Sequence, residues 1–490
     1  MAAYPTRLAP SGTVPTGTTE LWKDQKRYLW LIGLVMPSLA FIAFGGYLAT
    51  GSGIWFWISP IVILGIVPAI DLVAGLDRSN PPDDVIEALE QDRYYRWITY
   101  LFLPVQYAGF AAAFWFLRHG DLSVVDKVGL TLTIGFIGGI GINTAHELGH
   151  KKESHERWLS KIALAQSFYG HFYIEHNRGH HVRVATPEDP ASARLGENFY
   201  QFWPRTVIGS LRSAWRLEKR RLARRGQHPF RIGNDVLNAW LMSVVLWGVV
   251  LAWLGIGVLP YLVLQAVIAF TLLEAVNYLE HYGMLRQRTG APGHERYERV
   301  APGHSWNSNN IATNVLLYHL QRHSDHHANP TRRYQALRDY EESPVLPTGY
   351  AGMILLALVP RAWRRVMDQR VLTHFRGDIS LANIQPARRA HVLTRYPAPA
   401  VPPSAQAPGL ISVLARAGGE NGPHPAGAWG AHVTGARCPG CDYVYDEEAG
   451  DPREGFPAGT SWSAVPDTWC CPDCGVREKA DFIVPGIAGR

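Results

Sequence analysis

Six long runs of apolar residues, separated by short turns or by long polar segments, dominate the first 273 residues of the chain. The runs cover residues 28–50, 54–70, 97–117, 124–144, 236–254 and 257–273. Each run is close to the ~20 apolar residues that cross a ~30 Å hydrocarbon layer. Buried core helices of a large soluble protein would also be apolar, but six runs paired by short turns favour six membrane-spanning helices.

The basic residues predict how these spans are oriented. Lys23, Lys26 and Arg27 precede the first run, and residues 151–231 form a strongly basic segment after the fourth. Because cytoplasmic loops carry the excess of Lys and Arg, both termini and the large polar segments are expected in the cytoplasm, at a bacterial-type inner membrane. Residues 1–20 lack the apolar core of a cleavable signal peptide, so the first span is expected to direct insertion.

Composition and charge narrow the function classes. Of the 490 residues, 47% are hydrophobic and only 18% are charged, which excludes a disordered chain or a coiled coil. The net charge is +6, but residues 438–490 contain ten acidic and four basic residues, so the preceding part carries +12. This pattern indicates a basic body with an acidic appendage, and not a nucleic-acid-binding protein. All five cysteines lie after residue 437, so disulfides are not expected to hold the body together.

Nine histidines recur in four groups at or after the ends of the fourth and sixth apolar runs. They are His146, His150, His176, His180, His181, His281, His323, His326 and His327. Imidazole suits iron, zinc, copper and nickel, and nine ligands exceed what one ion accepts, so two metal ions are expected. Neutral imidazoles leave the metal charge uncompensated, which favours nearby carboxylates. The candidates are Glu147, Glu175, Glu280 and Asp325.

Two other interpretations of the histidines remain open at this point. His146-Glu147-Leu148-Gly149-His150 matches H-E-x-x-H, the zinc site of metalloproteases, so an intramembrane protease is an alternative. Such a protease would leave six or more histidines without a role. A metal transporter would place its ligands near mid-membrane and is therefore less favoured. The roles of three further histidines are undecided by sequence, namely His171, His304 and His319.

The motifs HELGHKKE, HFYIEHNRGHH, NYLEHYG, SWNSNN and LQRHSDHHANPTRRYQ together resemble those of the integral-membrane alkane 1-monooxygenases, relatives of the membrane fatty-acid desaturases and hydroxylases. The resemblance implies a non-haem di-iron centre held by the nine histidines, with O2 as co-substrate and hydroxylation of a terminal methyl group. One position departs from the family: Asn310 stands where a histidine is common. Asn310 is therefore expected to be dispensable for the metals.

The C-terminal cysteines form a second candidate metal site. Cys438, Cys441, Cys471 and Cys474 make two C-x-x-C pairs, and four thiolates with this spacing bind zinc or iron, so spacing alone leaves a zinc ribbon open. The surrounding CPGCDYVYD and VPDTWCCPDCGV resemble rubredoxin, which implies one iron in four cysteines and one-electron transfer. Cys470 has no place in that pattern.

The sequence between the two modules is rich in Pro, Ala and Gly and is expected to act as a tether. The expected domains are an N-terminal tail (1–20), a membrane domain (21–396), this linker (397–435) and a rubredoxin domain (436–490). Three interpretations of the basic run 216–225 stay open: it receives the acidic module, it binds anionic lipid headgroups, or it has no partner, since basic residues at a cytoplasmic membrane face need none.

The sequence thus predicts a mostly α fold: a six-span membrane domain with a cytoplasmic helical di-iron cap and a small rubredoxin-like domain. The expected function is oxidation of medium-to-long-chain alkanes from the bilayer to 1-alcohols, with electrons from an NAD(P)H-dependent rubredoxin reductase. A protease with a zinc-ribbon tail and a membrane fatty-acyl hydroxylase or desaturase are the alternatives. Expected substrate contacts are Ile63, Leu264 and Ile268. Members of the resembled family often carry a bulky aromatic residue deep in the second span, and residues 62–64 contain none, so the resemblance implies tolerance of medium-to-long chains.

Overall fold

The computed structural model describes residues 3–4, 22–399, 435–441 and 443–484. The helices of six or more residues are, in chain order, α1 (Leu29–Thr50), α2 (Gly53–Ala74), α3 (Asp83–Gln91), α4 (Arg93–His119), α5 (Val124–Gly149), α6 (Ser154–Ala165), α7 (172–183), α8 (Phe199–Arg224), α9 (Asp235–Leu254), α10 (Ile256–His281), α11 (Ile311–Leu316), α12 (His323–Ala328), α13 (Tyr350–Ala357), α14 (Pro360–His374) and α15 (Arg389–Arg395). Helix α7 is continuous, although it consists of three short helical segments in succession. The three short antiparallel sheets pair β1 (Ala3–Tyr4) with β2 (Trp22–Lys23), β3 (Arg288–Thr289) with β4 (Arg296–Tyr297), and β5 (Gly435–Arg437) with β6 (Val444–Asp446).

Six of these helices are long and apolar enough to span a membrane: α1, α2, α4, α5, α9 and α10. They confirm the six predicted spans and extend most of them by several residues, up to Gly149 in α5 and His281 in α10. In α5 and α10 the extensions are polar, histidine-bearing helix ends, which a hydrophobicity pattern does not detect. The mostly helical fold predicted from the sequence is therefore confirmed.

Local sequence signals define several helix ends. Gly51 adopts φ +69° at the end of α1, which permits the tight reversal into α2 that the Gly-Ser-Gly turn predicts. The N-cap of α5 is a capping box in which the Ser123 hydroxyl accepts from the Asp126 N–H and the Asp126 carboxylate accepts from the Ser123 N–H. The Asn234 side chain caps the first turn of α9.

Glycines let α5 and α10 pack closely. A Cβ added to Gly135 would stand 2.8 Å from Cβ of Ile268, and one added to Gly139 would stand 2.7 Å from Cδ2 of Leu272. Small residues allow such close approach of neighbouring membrane helices. The α5–α10 pair therefore brings His146 and His281, which lie near the ends of the two helices, to the same end of the bundle.

The cap consists of residues 150–234 and 282–399 and covers this end of the spans. The segment that precedes α1 lies at the same end, because Lys26 Nζ is 3.1 Å from Nε2 of His319. Residues 435–441 and 443–484, hereafter the module, form a small domain with a core of aromatic rings around Trp469. Most of the N-terminal tail and of the linker lies outside the described residues, so the domain boundaries stay predictions.

Candidate metal centres

The nine predicted histidine ligands converge into two buried clusters. The first contains His146, His150, His176, His181 and His326, and the second contains His180, His281, His323 and His327. Within each cluster, one nitrogen from every ring lies within 4.8 Å of the others. Residues from α5, α7, α10 and α12 thus meet at one place, although up to 181 positions separate them in sequence.

A single π-helical turn at His176–His180 distributes the α7 histidines between the two clusters. The His181 N–H bonds to the His176 carbonyl, and this wider turn brings Nε2 of His176 and His181 within 3.1 Å. His180 points instead to the second cluster, with its Nε2 3.2 Å from that of His327. Isolated π turns are typical of functional sites in helices.

The spacing of the nitrogens fits metal coordination. Nε2 of His146 lies 2.8 Å from Nε2 of His326, which is 3.1 Å from Nε2 of His181. In the second cluster the Nε2 atoms of His323 and His327 are 2.9 Å apart. Two nitrogens bound at right angles to one ion, each at ~2.1 Å, would stand ~3.0 Å apart. The buried Nε2 of His150 has no hydrogen-bond partner among the described residues, as expected of a ligand atom.

The electrostatics of the clusters favour neutral imidazoles. Burial, followed by the neighbouring imidazoles, lowers the pKa of His176, His181 and His326 well below the usual value. The same causes lower the pKa values of His323 and His327. Because a ligating histidine must be neutral, the clusters are ready to bind cations at neutral pH.

Two carboxylates contact the candidate ligands directly. Oδ2 of Asp189 lies 2.9 Å from Nδ1 of His180 and also accepts from the Ser192 hydroxyl, so it fixes the ring that turns Nε2 towards the second cluster. Oε2 of Glu280 is 3.2 Å from Nε2 of His323. Glu280 was predicted from its position beside His281. Asp189 was not predicted from the sequence, because it lies in a loop and no motif surrounds it.

The other three predicted carboxylate partners bind cations of the protein instead. Glu147 pairs with Lys151 at 2.9 Å, Glu175 with Arg183 at 2.9 Å, and Asp325 with Arg332 at 2.8 Å. Glu147 also accepts from the Tyr334 N–H. The glutamate of the H-E-x-x-H motif is thus held in a structural ion pair, which speaks against the protease alternative.

The undecided histidines lie outside both clusters. His319 is buried between Asp77, 3.3 Å away, and the Tyr334 carbonyl, and His304 pairs with Glu298. His171 is buried beside Tyr169. Asn310 hydrogen-bonds to the Asp71 carbonyl and so has a structural role, in line with the expectation that it is not needed for metal binding.

The four predicted cysteines of the module form the third cluster. Sγ of Cys438 lies 3.7 Å from that of Cys474, and Sγ of Cys441 lies 3.4 Å from that of Cys471. Tetrahedral thiolates bound at ~2.3 Å stand ~3.8 Å apart, so the set fits a single iron or zinc ion. Cys470 lies outside the cluster, and burial raises the pKa of its thiol to about 12.

An apolar cavity leads from the membrane spans to the histidine clusters. Its lining contains Ile63, from a π turn in α2, together with Leu272 and Leu273 of α10. At its inner end it reaches the ligand candidates His146, His176 and His323. Leu264 and Ile268, the other predicted substrate contacts, are not part of this lining, and Ile268 packs against Gly135. Substrate contact at those two residues stays a prediction.

Comparison with known proteins agrees with this geometry. The family model "Fatty acid desaturase" matches residues 127–357, and the model "Rubredoxin" matches residues 436–482. Alkane 1-monooxygenase of Pseudomonas putida is 45% identical over 373 residues, which cover 76% of this chain and 92% of the relative. Alkane 1-monooxygenase of Acinetobacter baylyi is 46% identical over 376 residues, which cover 76% and 91%.

The chain belongs to the alkane 1-monooxygenase family. The resemblance drawn from the histidine motifs is therefore confirmed, and so is the rubredoxin domain. This family member is an integral-membrane enzyme with a rubredoxin module in the same chain.

In this family member the module lies against the cap through ion pairs and backbone contacts. Glu454 pairs with Arg178 of α7 at 2.7 Å and with Arg224 of α8 at 3.0 Å. Asp481 pairs with Arg299, while the Lys152 ammonium donates to the carbonyl of the ligand candidate Cys441 at 2.5 Å. The acidic surface of the module thus meets the basic cap.

One contact brings the cysteine cluster next to a histidine ligand candidate. Gly475 follows Cys474, and a Cβ added to Gly475 would stand 2.3 Å from the Asn177 carbonyl oxygen and 3.8 Å from Cβ of His181. Gly475 has φ +70°, so both its backbone conformation and this close approach favour glycine.

Proposed function

We propose that this chain hydroxylates the terminal methyl group of medium-to-long-chain alkanes with O2, giving 1-alcohols, and that its own rubredoxin module delivers the electrons. The observation that carries the proposal is the apolar cavity, whose lining combines apolar residues of the spans with the ligand candidates His146, His176 and His323. An alkane in this cavity would present its end to the metal centre.

The lining favours an uncharged hydrocarbon over a fatty acid. Among the described residues, the lining contains no Lys or Arg that could pair with a carboxylate. Its one acidic residue, Glu280, contacts His323 and offers no positive charge to a carboxylate. Alkanes also concentrate in the bilayer because the hydrophobic effect drives them out of water, so the cavity is supplied directly from the membrane.

Two non-haem iron ions in the histidine clusters would supply the O2-activating and C–H-oxidising chemistry. The nine imidazoles would hold the cations, and Asp189 fixes the orientation of His180. The apolar walls beside Ile63 and Leu273 exclude water and limit the directions from which the end of the alkane can approach the metal centre. The overall reaction consumes O2, two electrons and two protons and yields the alcohol and water.

The position of the module supports internal electron delivery. A single iron held by four cysteines carries one electron at a time, so two successive reductions are needed for each alcohol formed. The contact between Gly475 and Asn177 places the chain segment after Cys474 next to His181, a ligand candidate of the first cluster. An NAD(P)H-dependent rubredoxin reductase would reduce the module, and the basic flanks of the spans favour a cytoplasmic location for this face.

The experiment is an assay of the purified full-length protein with dodecane, O2, NADH and a rubredoxin reductase, with 1-dodecanol as the measured product. His281→Ala removes one candidate ligand of the second cluster and should abolish product. His391→Ala changes an exposed histidine outside both clusters and should leave the rate unchanged. Full activity of the His281 variant, or peptidase activity without alcohol formation, would overturn the proposal.

A further inference from the structure

Cationic side chains from the cap and from the module surround a second cavity of about 270 Å³, hereafter the seam cavity. Its basic lining residues are Arg157, Lys161, Arg221, Arg225 and Arg453. The first four belong to the cap, and Arg453 belongs to the module. The seam cavity therefore lies between the two parts of the protein and is walled by positive charge from both.

The acidic residues around the seam cavity neutralise only part of this charge. Asp235 is the one acidic side chain among the described lining residues, and it is shared by Lys161 at 2.7 Å and Arg453 at 3.1 Å. Glu218 pairs with Arg221 at 2.6 Å.

Two lining arginines, Arg157 and Arg225, make no ion pair within the described part of the chain. Arg157 donates to the carbonyls of Lys151 and Lys152, and the exposed guanidinium of Arg225 makes no ion pair there. Burial lowers the pKa of Lys161, Asp235 opposes this shift, and the neighbouring Arg453 adds to it. The cavity thus has an excess of positive charge that an anion would compensate.

The surroundings of the seam cavity place it at the level of lipid headgroups. Asp235 is the first residue of the membrane span α9. The loop before it exposes 69% of Phe230 and 77% of Ile232, and Trp158 of the lining is 48% exposed. Aromatic residues with this exposure are typical of the membrane–water interface, where their rings lie among the headgroups.

We propose that the seam cavity binds a phosphate group, supplied by the headgroup of an anionic lipid or by free phosphate. Arginine forks match phosphate oxygens, and basic pockets beside membrane helices bind anionic headgroups. Because Arg453 is part of the module, a bound phosphate joins the module to the cap and adds to the ion pairs of Glu454. This inference concerns binding and does not depend on the hydroxylation reaction.

The test is equilibrium binding of labelled short-chain phosphatidylglycerol to the full-length protein in detergent. We expect one tight site per chain, and Arg225→Gln and Arg453→Gln should each weaken it by about five- to ten-fold. Arg225→Gln removes a charge without an acidic partner in the described structure, so the fold should persist. Arg220→Gln, five residues earlier in α8, is the control, because Arg220 is exposed and does not line the cavity.

Two competitors identify the source of the phosphate group. If inorganic phosphate displaces the label and its own binding depends on Arg225, free phosphate is the ligand; if it does not displace the label, the ligand is a lipid. Both outcomes support the site. Short-chain diacylglycerol, which lacks a phosphate group, would overturn the proposal if it bound as tightly as phosphatidylglycerol, and so would equal binding by the Arg225→Gln and Arg220→Gln variants.

Discussion

Gly475 of the module and Asn177 of the cap are in such close contact that no side chain fits at Gly475. A Cβ there would lie 2.3 Å from the Asn177 carbonyl oxygen. The contact lies between Cys474, a ligand candidate of the module, and His181, a ligand candidate of the first histidine cluster. Docking at this contact therefore brings the chain segment beside a cysteine ligand candidate next to a histidine ligand candidate.

Gly475→Ala should slow electron transfer from the module to the histidine clusters, because the added methyl group pushes the module away from the cap. Gly459→Ala is a matched control, since Gly459 also has a positive φ, +83°, but nothing lies near its Cβ position. Stopped-flow reoxidation of the reduced module in the presence of O2 and dodecane measures the step. Equal rates in the two variants would show that the Gly475 contact has no part in electron transfer.

Glu454→Gln should weaken docking, because it removes the ion pairs with Arg178 and Arg224. We expect a loss of about three- to ten-fold in alcohol formation at moderate ionic strength. The exposed residue Glu448 has no described contact with the cap, so Glu448→Gln serves as the control. If added salt lowers the activity of the wild type and of both variants equally, the Glu454 ion pairs do not hold the module.

The pH dependence of docking follows from the same carboxylate. Burial alone would raise the pKa of Glu454, but Arg178 and Arg224 hold it below its usual value. A carboxylate with a lowered pKa contributes its full stabilisation above the unfolded-state pKa of about 4.3 and loses it as the pH falls through the lower value in the folded state. Crosslinking of the module to the cap should therefore be unchanged between pH 7 and pH 5.

Asp189→Asn should lower the metal affinity of the second cluster by about 10- to 100-fold, because the carboxylate no longer fixes the His180 ring. The iron of the module should remain, and its visible absorption provides an internal reference. The measurement is iron content after dialysis against a chelator, compared with Asp121→Asn at an exposed loop. If the Asp189→Asn variant retained as much iron as the Asp121→Asn variant, Asp189 would have no role in metal binding.

Ile63→Trp should shorten the longest alkane that is hydroxylated, because the larger side chain fills part of the cavity. Ile61→Trp on the same helix is the control, since Ile61 is 44% exposed and does not line the cavity. Product profiles from octane to hexadecane measure the effect. A profile that is the same in both variants would show that Ile63 does not limit chain length.

The sequence predicted the six spans, all nine histidines of the two clusters and all four cysteines of the third. The spans are recognisable as apolar runs, and the histidines and cysteines by their spacing along the chain. It did not predict how the histidines divide. His176 and His180 have helical spacing, yet the π turn separates them and pairs His176 with His181. The role of Asp189 and the contact between Gly475 and Asn177 could not be predicted from the sequence either, because each depends on segments that come together only in the folded chain.

The most direct test of the central claim is the iron content of the purified protein and of two variants. We expect about three iron atoms per chain in the wild type, about two when Cys441 and Cys474 are replaced by Ser, and about one when His176 and His323 are replaced by Ala. These numbers would place two irons in the histidine clusters and one in the module. One zinc ion in the membrane domain, or an iron content that the histidine replacements leave unchanged, would contradict the account.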